Sequence, residues 1–332
     1  MSLRAVVVLI LLGASGCSKE STAVPGAIAR EGRFGSLRDL VVFDRPAEQG
    51  GPFFLDRFEV TRDDWTQFLG APRRSALEAS TDGFLPQSGI DLAAARAFAA
   101  WRFCRLPRAE EWVYAATGNN TYSWPWGDAA QASRANTAEL RLGKPTPVGT
   151  FESGRRGDGP YDLVGNVAEW TETVPPQVFL EDPPFGTIAS WPELIAIGPW
   201  RMARAKALSA WLLPGQPLPA SWLVQSLGER IPRIVVGSDF LSPMGQRNAL
   251  RLPRESGSAL GLRLAADPAS LLATLTAGDV EAGPQDLELL RRFLGHPGHA
   301  EVLRDPLRQL LQAEPARGLG PVGRVLTEGL AP

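Results

Sequence analysis

The sequence feature that most constrains the fold is Asp158–Trp170, which reads DGPYDLVGNVAEW. Its Gly-Pro and Gly-Asn pairs favour tight turns, so the backbone is predicted to fold closely on itself here. We expect the turn to bring Asp162, Asn166 and Glu169 together around exposed backbone carbonyls. Calcium binds carboxylate and carbonyl oxygens from closely spaced positions of one loop. The spacing is compatible with a calcium site, although loops of this composition are more often simple turns.

The end of this stretch, Gly165–Trp170 (GNVAEW), resembles the Gly-Asn-Val-Trp-Glu-Trp signature of the formylglycine-generating enzyme family, the sulfatase-modifying factors. Further blocks resemble this family and follow in its order; they are Phe54–Phe68, Arg105–Gly118, Trp126–Asp128, Ala135–Thr137, Pro147–Val148 and Leu260–Arg263. The resemblance implies an α+β fold over residues 36–265, a loop-rich variant of the C-type lectin fold.

The resemblance also implies a structural calcium site. In the family, the side chain just before the signature turn, two carbonyls within it and its Glu bind the ion. The matching positions in this chain are Asp162, the carbonyls of Gly165 and Val167, and the carboxylate of Glu169. All of them carry oxygen donors, so calcium is the expected cofactor.

The chain departs from the family at the catalytic centre. Family enzymes bind copper through two Cys thiolates and use oxygen to oxidise a substrate cysteine. Those two places correspond to Leu241 and Gln246, and no Cys follows Cys104. Because Cu(I) requires soft ligands, copper-thiolate chemistry is excluded.

An iron centre is not expected either. A second enzymatic branch that shares this fold, the sulfoxide synthases, has a non-haem iron site with three His. This chain has two His, His296 and His299, which flank a Pro-Gly pair typical of a turn between helices. Cys104 lies beside Arg102 and Arg105, which could lower its thiol pKa, but its place at a helix end favours a buried structural Cys.

The N-terminal segment Met1–Cys17 is predicted to be a lipoprotein signal peptide. Its apolar run, Ala5–Leu12, is too short to span a bilayer. Ala14–Cys17 resembles a bacterial lipobox, which makes Cys17 the acylated first residue of the mature protein; an ordinary signal peptide is the alternative. Residues 18–35 would form a flexible tether. Ser18 indicates an outer-membrane address in the bacterial cell envelope.

Composition agrees with an exported globular protein. At 332 residues the chain can bury a sizeable core. Its formal net charge of -2 and the lack of a basic run argue against a nucleic-acid partner. The only Cys residues are Cys17 and Cys104, so lipidation of Cys17 leaves no intramolecular disulfide.

Local patterns predict strands and helices in the first half. Leu40–Phe43 and Phe53–Leu55 are short apolar runs that favour strands. Three helices are expected: one capped by Thr61 with Trp65, Phe68 and Leu69 buried, one from Asp91 to about Phe103, and one over Arg108–Thr117.

From Gly118 to Gly165 regular patterning nearly disappears. Trp124 and Trp126 are predicted to anchor these loops in the core, with an aromatic platform for a sugar or peptide as the alternative.

Residues 172–231 match nothing in the family and form a predicted insertion. Within it, Trp191–Leu213 has a helical, moderately amphipathic pattern. The segment could dock on a membrane or partner, or pack on its own domain. The candidate interaction residues are Trp191, Trp200, Arg201, Arg204 and Trp211.

Residues 266–332 are predicted to be a separate helical appendage. Helices are expected from Pro268, over Pro284–Leu294 and over Ala300–Ala313, followed by a Gly-rich ending.

These observations predict a non-catalytic, lipid-anchored envelope protein. It would reach the membrane through its N-terminal lipid and use the enzyme-like domain to bind a protein or glycan, or in assembly. Two alternatives stay open: an oxidoreductase-like enzyme with an unrecognised centre, and a regulatory subunit of a secretion or signalling system. Fold alone does not decide between them, because function resides in sites.

Overall fold

A computed structural model describes residues 32–70, 81–119, 121–173, 233–245, 248–251, 256–277, 280–313 and 320–330. The predicted signal peptide with Cys17, the candidate interaction residues Trp191, Trp200, Arg201, Arg204 and Trp211, and Gln246 all lie outside these ranges.

Two small sheets form the centre of the domain. The first has the strand order β1-β2-β7 and is antiparallel throughout; its strands are β1 (Leu40–Phe43), β2 (Phe53–Asp56) and β7 (Ala265–Ala266). The second has the order β5-β4-β3-β6; its strands are β3 (Ala168–Trp170), β4 (Arg233–Val236), β5 (Asn248–Arg251) and β6 (Leu260–Gly261). In the second sheet, β3 pairs with β6 in parallel and with β4 in antiparallel fashion.

Three helices pack around the sheets. They are α1 (Arg62–Phe68), α2 (Leu92–Trp101) and α3 (Ala109–Thr117). The Thr61 side chain and the Asp64 carboxylate bond each other's backbone N–H groups in a capping box, as the sequence predicted. The prediction that Leu69 is buried is wrong: its side chain is 47% exposed, because α1 ends at Phe68 and Leu69 leaves the buried face.

The described loops between residues 118 and 165 contain only short 3-10 turns, as the weak patterning indicated. Trp124 and Trp126 stack with ring centroids 5.6 Å apart. Trp124 is buried in a small cluster with Val164 and Met244. These contacts confirm that the pair anchors the loops in the core.

The C-terminal appendage is helical and covers one side of the first sheet. It consists of α4 (Pro268–Leu275), α5 (Pro284–Leu294), α6 (Pro297–Ala313) and α7 (Pro321–Gly329). These helices share one hydrophobic cluster with Leu40 and Phe54. The prediction of a Gly-rich ending missed α7, whose buried Val322, Val325 and Leu326 have helical spacing.

An ion-pair network also joins the appendage to the domain. Arg105 Nη2 lies 2.7 Å from Glu111 Oε1 at the start of α3 and 2.6 Å from Asp267 Oδ1 before α4. Across the described ranges, every helix falls short of the length and hydropathy that a bilayer span requires. The mixture of helices and sheets confirms the predicted α+β class.

Candidate functional site: a buried signature turn

The GNVAEW turn lies inside the protein. Asp162 is 5% exposed and Asn166 is fully buried. Asp162, Gly165 and Asn166 adopt left-handed backbone with φ of 53°, 80° and 61°. A Cβ on Gly165 would lie 2.2 Å from the Asn136 carbonyl oxygen, so glycine is required there. The expectation of exposed carbonyls is therefore wrong, because the loop that carries Asn136 covers the turn.

Asn166 connects this turn to three other segments. Its Nδ2 donates to Glu59 Oε2 at 2.6 Å, and its Oδ1 accepts from the Thr146 backbone N–H at 2.8 Å and from Asn136 Nδ2 at 3.2 Å. Its backbone carbonyl accepts from the Phe240 N–H at 3.1 Å. The Asn166 side chain is thus fully used in holding the fold.

Glu169 and Arg263 form a completely buried ion pair beside the turn. Arg263 Nη2 lies 2.8 Å from Glu169 Oε1, and Arg263 Nε lies 3.1 Å from both Glu169 oxygens. Trp112 Nε1 donates to Glu169 Oε2 at 3.1 Å. Arg263 also donates to the carbonyls of Asp56 and Tyr161. The pair forms because β3 and β6 are neighbours and Arg263 follows β6.

Three buried carboxylates, those of Glu59, Asp162 and Glu169, lie near the buried guanidinium of Arg263. Burial raises the pKa of Asp162 to about 6, although the N–H of Gly149 donates to its Oδ2 at 2.7 Å. Burial, together with the charges of Asp162 and Glu169, raises the pKa of Glu59 well above its usual range. With all three ionised, the cluster carries two negative charges in excess of its one cation.

Of the predicted calcium ligands, the Glu169 carboxylate accepts from Arg263 and Trp112, and the Asp162 carboxylate accepts from the Gly149 N–H. The sequence-derived set is Asp162, the carbonyls of Gly165 and Val167, and Glu169. Among the residues described, no group of three or more His, Cys, Asp or Glu side chains is arranged to hold a metal ion. The predicted set differs from such a group because two of its four members are backbone carbonyls.

Leu241, which the sequence predicts to match the first thiolate position of the family enzymes, lies on the loop after β4. Leu241 is 59% exposed, and its backbone N–H donates to Asp239 Oδ1 at 2.8 Å. On the same loop, the Met244 N–H donates to the Glu139 carboxylate at 3.0 Å. The position predicted to match the first thiolate thus carries an exposed aliphatic side chain.

Cys104 and the two His residues take structural positions. Cys104 packs against two hydrophobic clusters, and burial raises its thiol pKa far above the usual range. His299 is buried between Phe54 and Phe293. His296 stacks on His299 at the turn between α5 and α6, as the Pro-Gly pair indicated.

Two residues of this site, Glu59 and Arg263, were not predicted from the sequence. Glu59 stands between the apolar residues Phe58 and Val60, and Arg263 stands in the apolar run Leu-Gly-Leu-Arg-Leu, where an ionisable side chain must find a buried partner. That interruption of an apolar run is the signal that could have identified them.

The sequence is similar to a known protein family and to several known proteins. Residues 29–190 match the family described as "Sulfatase-modifying factor enzyme 1-like domain". Inactive C-alpha-formylglycine-generating enzyme 2 of Bos taurus is 41% identical over 88 residues, which is 23% of this chain and 29% of that protein. Formylglycine-generating enzyme of Mycobacterium tuberculosis is also 41% identical over 88 residues, which is 23% of this chain and 29% of that protein. The chain thus spans less than a third of the length of either relative.

Among solved structures, Treponema denticola variable protein 1 is similar at 17% identity with a TM-score of 0.43, covering 65% of this chain and 84% of that chain. Apart from Leu260–Arg263, the motif blocks lie within the matched residues, which also contain the buried turn. The chain therefore contains a sulfatase-modifying factor enzyme 1-like domain over residues 29–190, and it is similar to proteins named formylglycine-generating enzyme and inactive C-alpha-formylglycine-generating enzyme 2.

Proposed function

We propose that this chain is a non-catalytic, lipid-anchored protein of the bacterial cell envelope that uses its domain to bind a protein or glycan partner. One observation carries the proposal: the position of the first catalytic thiolate is held by Leu241, whose aliphatic side chain is 59% exposed. The sequence has no Cys after Cys104, and the half-buried Cys104 packs against two hydrophobic clusters just after α2. The chain thus keeps the family's scaffold without its copper ligands.

The exposed side chain of Leu241 offers a contact point in place of a catalytic group. A large aliphatic side chain on a loop fixed by buried neighbours suits binding, because little conformational entropy is lost when a partner covers it. The loop is held at both ends: Phe240 N–H donates to Asn166, and Met244 N–H donates to Glu139.

Site-specific photocrosslinking tests this binding role. The full chain carries a photoreactive amino acid at Leu241, with a matched probe at Asp305 on the exposed surface of α6 as control. We expect a reproducible adduct in envelope membranes from Leu241 only, with its yield reduced by excess unlabelled protein. Equal adducts from both positions, or none from either, would contradict a binding surface at this loop.

The membrane anchor is a separate part of the proposal and rests on the lipobox-like Ala14–Cys17 alone. Mass measurement of the mature N-terminus tests it, with Cys17→Ser as control. A mature protein that begins with a diacylglyceryl-modified Cys17 supports anchoring. A mature protein that has been cleaved but carries no lipid on Cys17 contradicts it.

Calcium is proposed as a structural ion. Asp162, the carbonyls of Gly165 and Val167, and Glu169 would hold it, and its charge would balance the excess negative charge around Arg263. The ion would stiffen the turn and would take no part in a reaction.

A further inference from the structure

A cavity of about 580 Å³ lies on another part of the domain, between β2, α1 and the 3-10 turn at residues 33–38. Its volume is in the range of small-molecule sites. Its apolar wall includes Phe58, Phe84 and Phe98, and Phe84 is 55% exposed, which leaves that side open to solvent. Neither Leu241 nor the signature turn lines it.

The polar lining of this cavity is strongly acidic. Its carboxylates are Asp39, Asp56, Glu59, Asp63 and Asp64, and its guanidinium groups are Arg38 and Arg102. Both cations are already paired: Arg38 Nη2 lies 2.7 Å from Asp39 Oδ2, and Arg102 Nη2 lies 2.7 Å from Asp64 Oδ1.

Three carboxylates therefore line the cavity without a cation. Within the described ranges, no salt bridge joins Asp56, Glu59 or Asp63 to an Arg or Lys. Glu59 accepts hydrogen bonds from neutral donors only, namely the Asn166 amide and the Val167 N–H. The cavity is thus left with an excess of negative charge.

Asp56 supplies a second and independent indication of a ligand. It is only 6% exposed, yet its Oδ1 has no hydrogen-bond partner. Its backbone is fixed, because its N–H donates to the Leu264 carbonyl and its carbonyl accepts from Arg263. A buried carboxylate oxygen without a donor costs free energy, which a proton or a bound donor would recover.

We propose that this cavity binds an organic cation, an ammonium or guanidinium group on a short apolar stem, with the charged end at Asp56. The carboxylates provide the charge-assisted hydrogen bonds, and the Phe side chains provide apolar and cation–π contacts for the stem and head. Burial and the neighbouring Asp39 raise the pKa of Asp56 well above its usual range, and the charges of Arg102 and Arg263 offset only part of that shift.

This inference goes beyond the proposed function, because the cavity is a different site from the Leu241 loop. A free polyamine and a lysine side chain share the required chemistry. The calorimetric probes are therefore 1,4-diaminobutane and an N-acetylated lysine amide, and the uncharged 1,4-butanediol serves as the matched control.

Calorimetric titration of the full chain tests the proposal. We expect both amines to bind and the diol not to bind, with the tighter amine showing which source the cavity prefers. Asp56→Asn preserves shape and removes the charge, and it should weaken amine binding at least about tenfold. Asp305→Asn, on the exposed surface of α6, should bind like the wild type.

A second variant allows the proposal to be tested even if Asp56→Asn does not fold. Phe84 is largely exposed at the cavity, so Phe84→Ala should fold normally and weaken amine binding several-fold by removing the aromatic contact. Equal affinity for diol and amine, or unchanged amine affinity in both variants, would overturn the proposal. Neither of those results affects the crosslinking test at Leu241. A failure of the cation-binding proposal can therefore be distinguished from a failure of the proposed function.

Discussion

The guanidinium of Arg263 contacts both oxygens of the Glu169 carboxylate at 2.8 to 3.1 Å, and both side chains are 0% exposed. Their positions are 94 residues apart in the chain. The pair therefore joins the signature turn to the closing strands and depends on the whole domain being assembled. A buried pair of this kind is costly to break from one side, because the remaining charge has no partner.

Arg263→Met should lower the free energy of unfolding by about 3–5 kcal/mol, because Glu169 is then left charged in the core. Urea unfolding followed by tryptophan fluorescence measures this. The double variant Arg263→Met with Glu169→Leu should recover part of the loss. A single variant within about 1 kcal/mol of wild type would show that the pair is not structural.

Asn166→Asp should destabilise the protein by about 3 kcal/mol, because the new carboxylate cannot donate to Glu59 and repels it. Adding Glu59→Gln places an amide donor opposite the new carboxylate and should return a large part of the stability. A double-mutant cycle by chemical denaturation gives the coupling energy. Additive losses would contradict a direct Asn166–Glu59 interaction, which the structure places at 2.6 Å.

Much of the local structure could be predicted from the sequence. The Thr61 capping box and the cap at Asp91 depend on residues close in the chain, and both were found as expected. The burial of Leu69 was predicted wrongly because its spacing in the sequence continues the buried face of α1, whereas the helix itself ends one residue earlier, at Phe68. Helix α7 was not predicted because its Gly residues indicated a loop, although its three buried apolar side chains have helical spacing.

The site could be predicted only in part. The turn at Gly165 and Asn166 follows from residue types that tolerate left-handed backbone. Its burial does not follow, because Asn166 pairs with Glu59 across 107 positions and no local pattern encodes that contact. Arg263 was likewise recognised as part of a motif but not as the counter-ion of Glu169.

The appendage should lose stability in mild acid through His299. Burial lowers the pKa of His299 to about 4, with smaller effects from the neighbouring His296 and Arg57. Because the folded state holds fewer protons than the unfolded state between about pH 6.5 and pH 4, stability falls as the pH drops through that window. At pH 5 the loss should be about 1–2 kcal/mol relative to pH 7.5.

Hydrogen exchange in α5 and α6 at the two pH values measures that change. His299→Asn keeps a donor for the Phe293 carbonyl, which lies 2.9 Å from His299 Nδ1, and does not titrate, so it should remove most of the acid effect. His296→Gln, at an exposed position, is the control. An unchanged acid response in His299→Asn would contradict this assignment.

Calcium should raise the unfolding midpoint of the full chain. At a concentration of about 100 times its Kd, calcium should add about 2.7 kcal/mol to the free energy of unfolding. Scanning calorimetry with calcium, magnesium or chelator measures the shift. Asp162→Asn should abolish it, whereas Asp158→Asn, whose side chain is 100% exposed in the same stretch, should not. Absence of a calcium-specific shift in the wild type would rule out the proposed ion.

We propose that this domain has a buried signature turn like that of formylglycine-generating enzymes but does not carry out copper-dependent oxidation. The most direct measurement is an anaerobic Cu(I) titration of the purified full chain against a competing chelator, followed by oxygen uptake with a cysteine-containing peptide. Because Cu(I) requires soft ligands and the sequence has no Cys after Cys104, we expect no tight stoichiometric Cu(I) site and no peptide-dependent oxygen uptake. Stoichiometric copper binding with catalytic oxygen consumption would contradict the account.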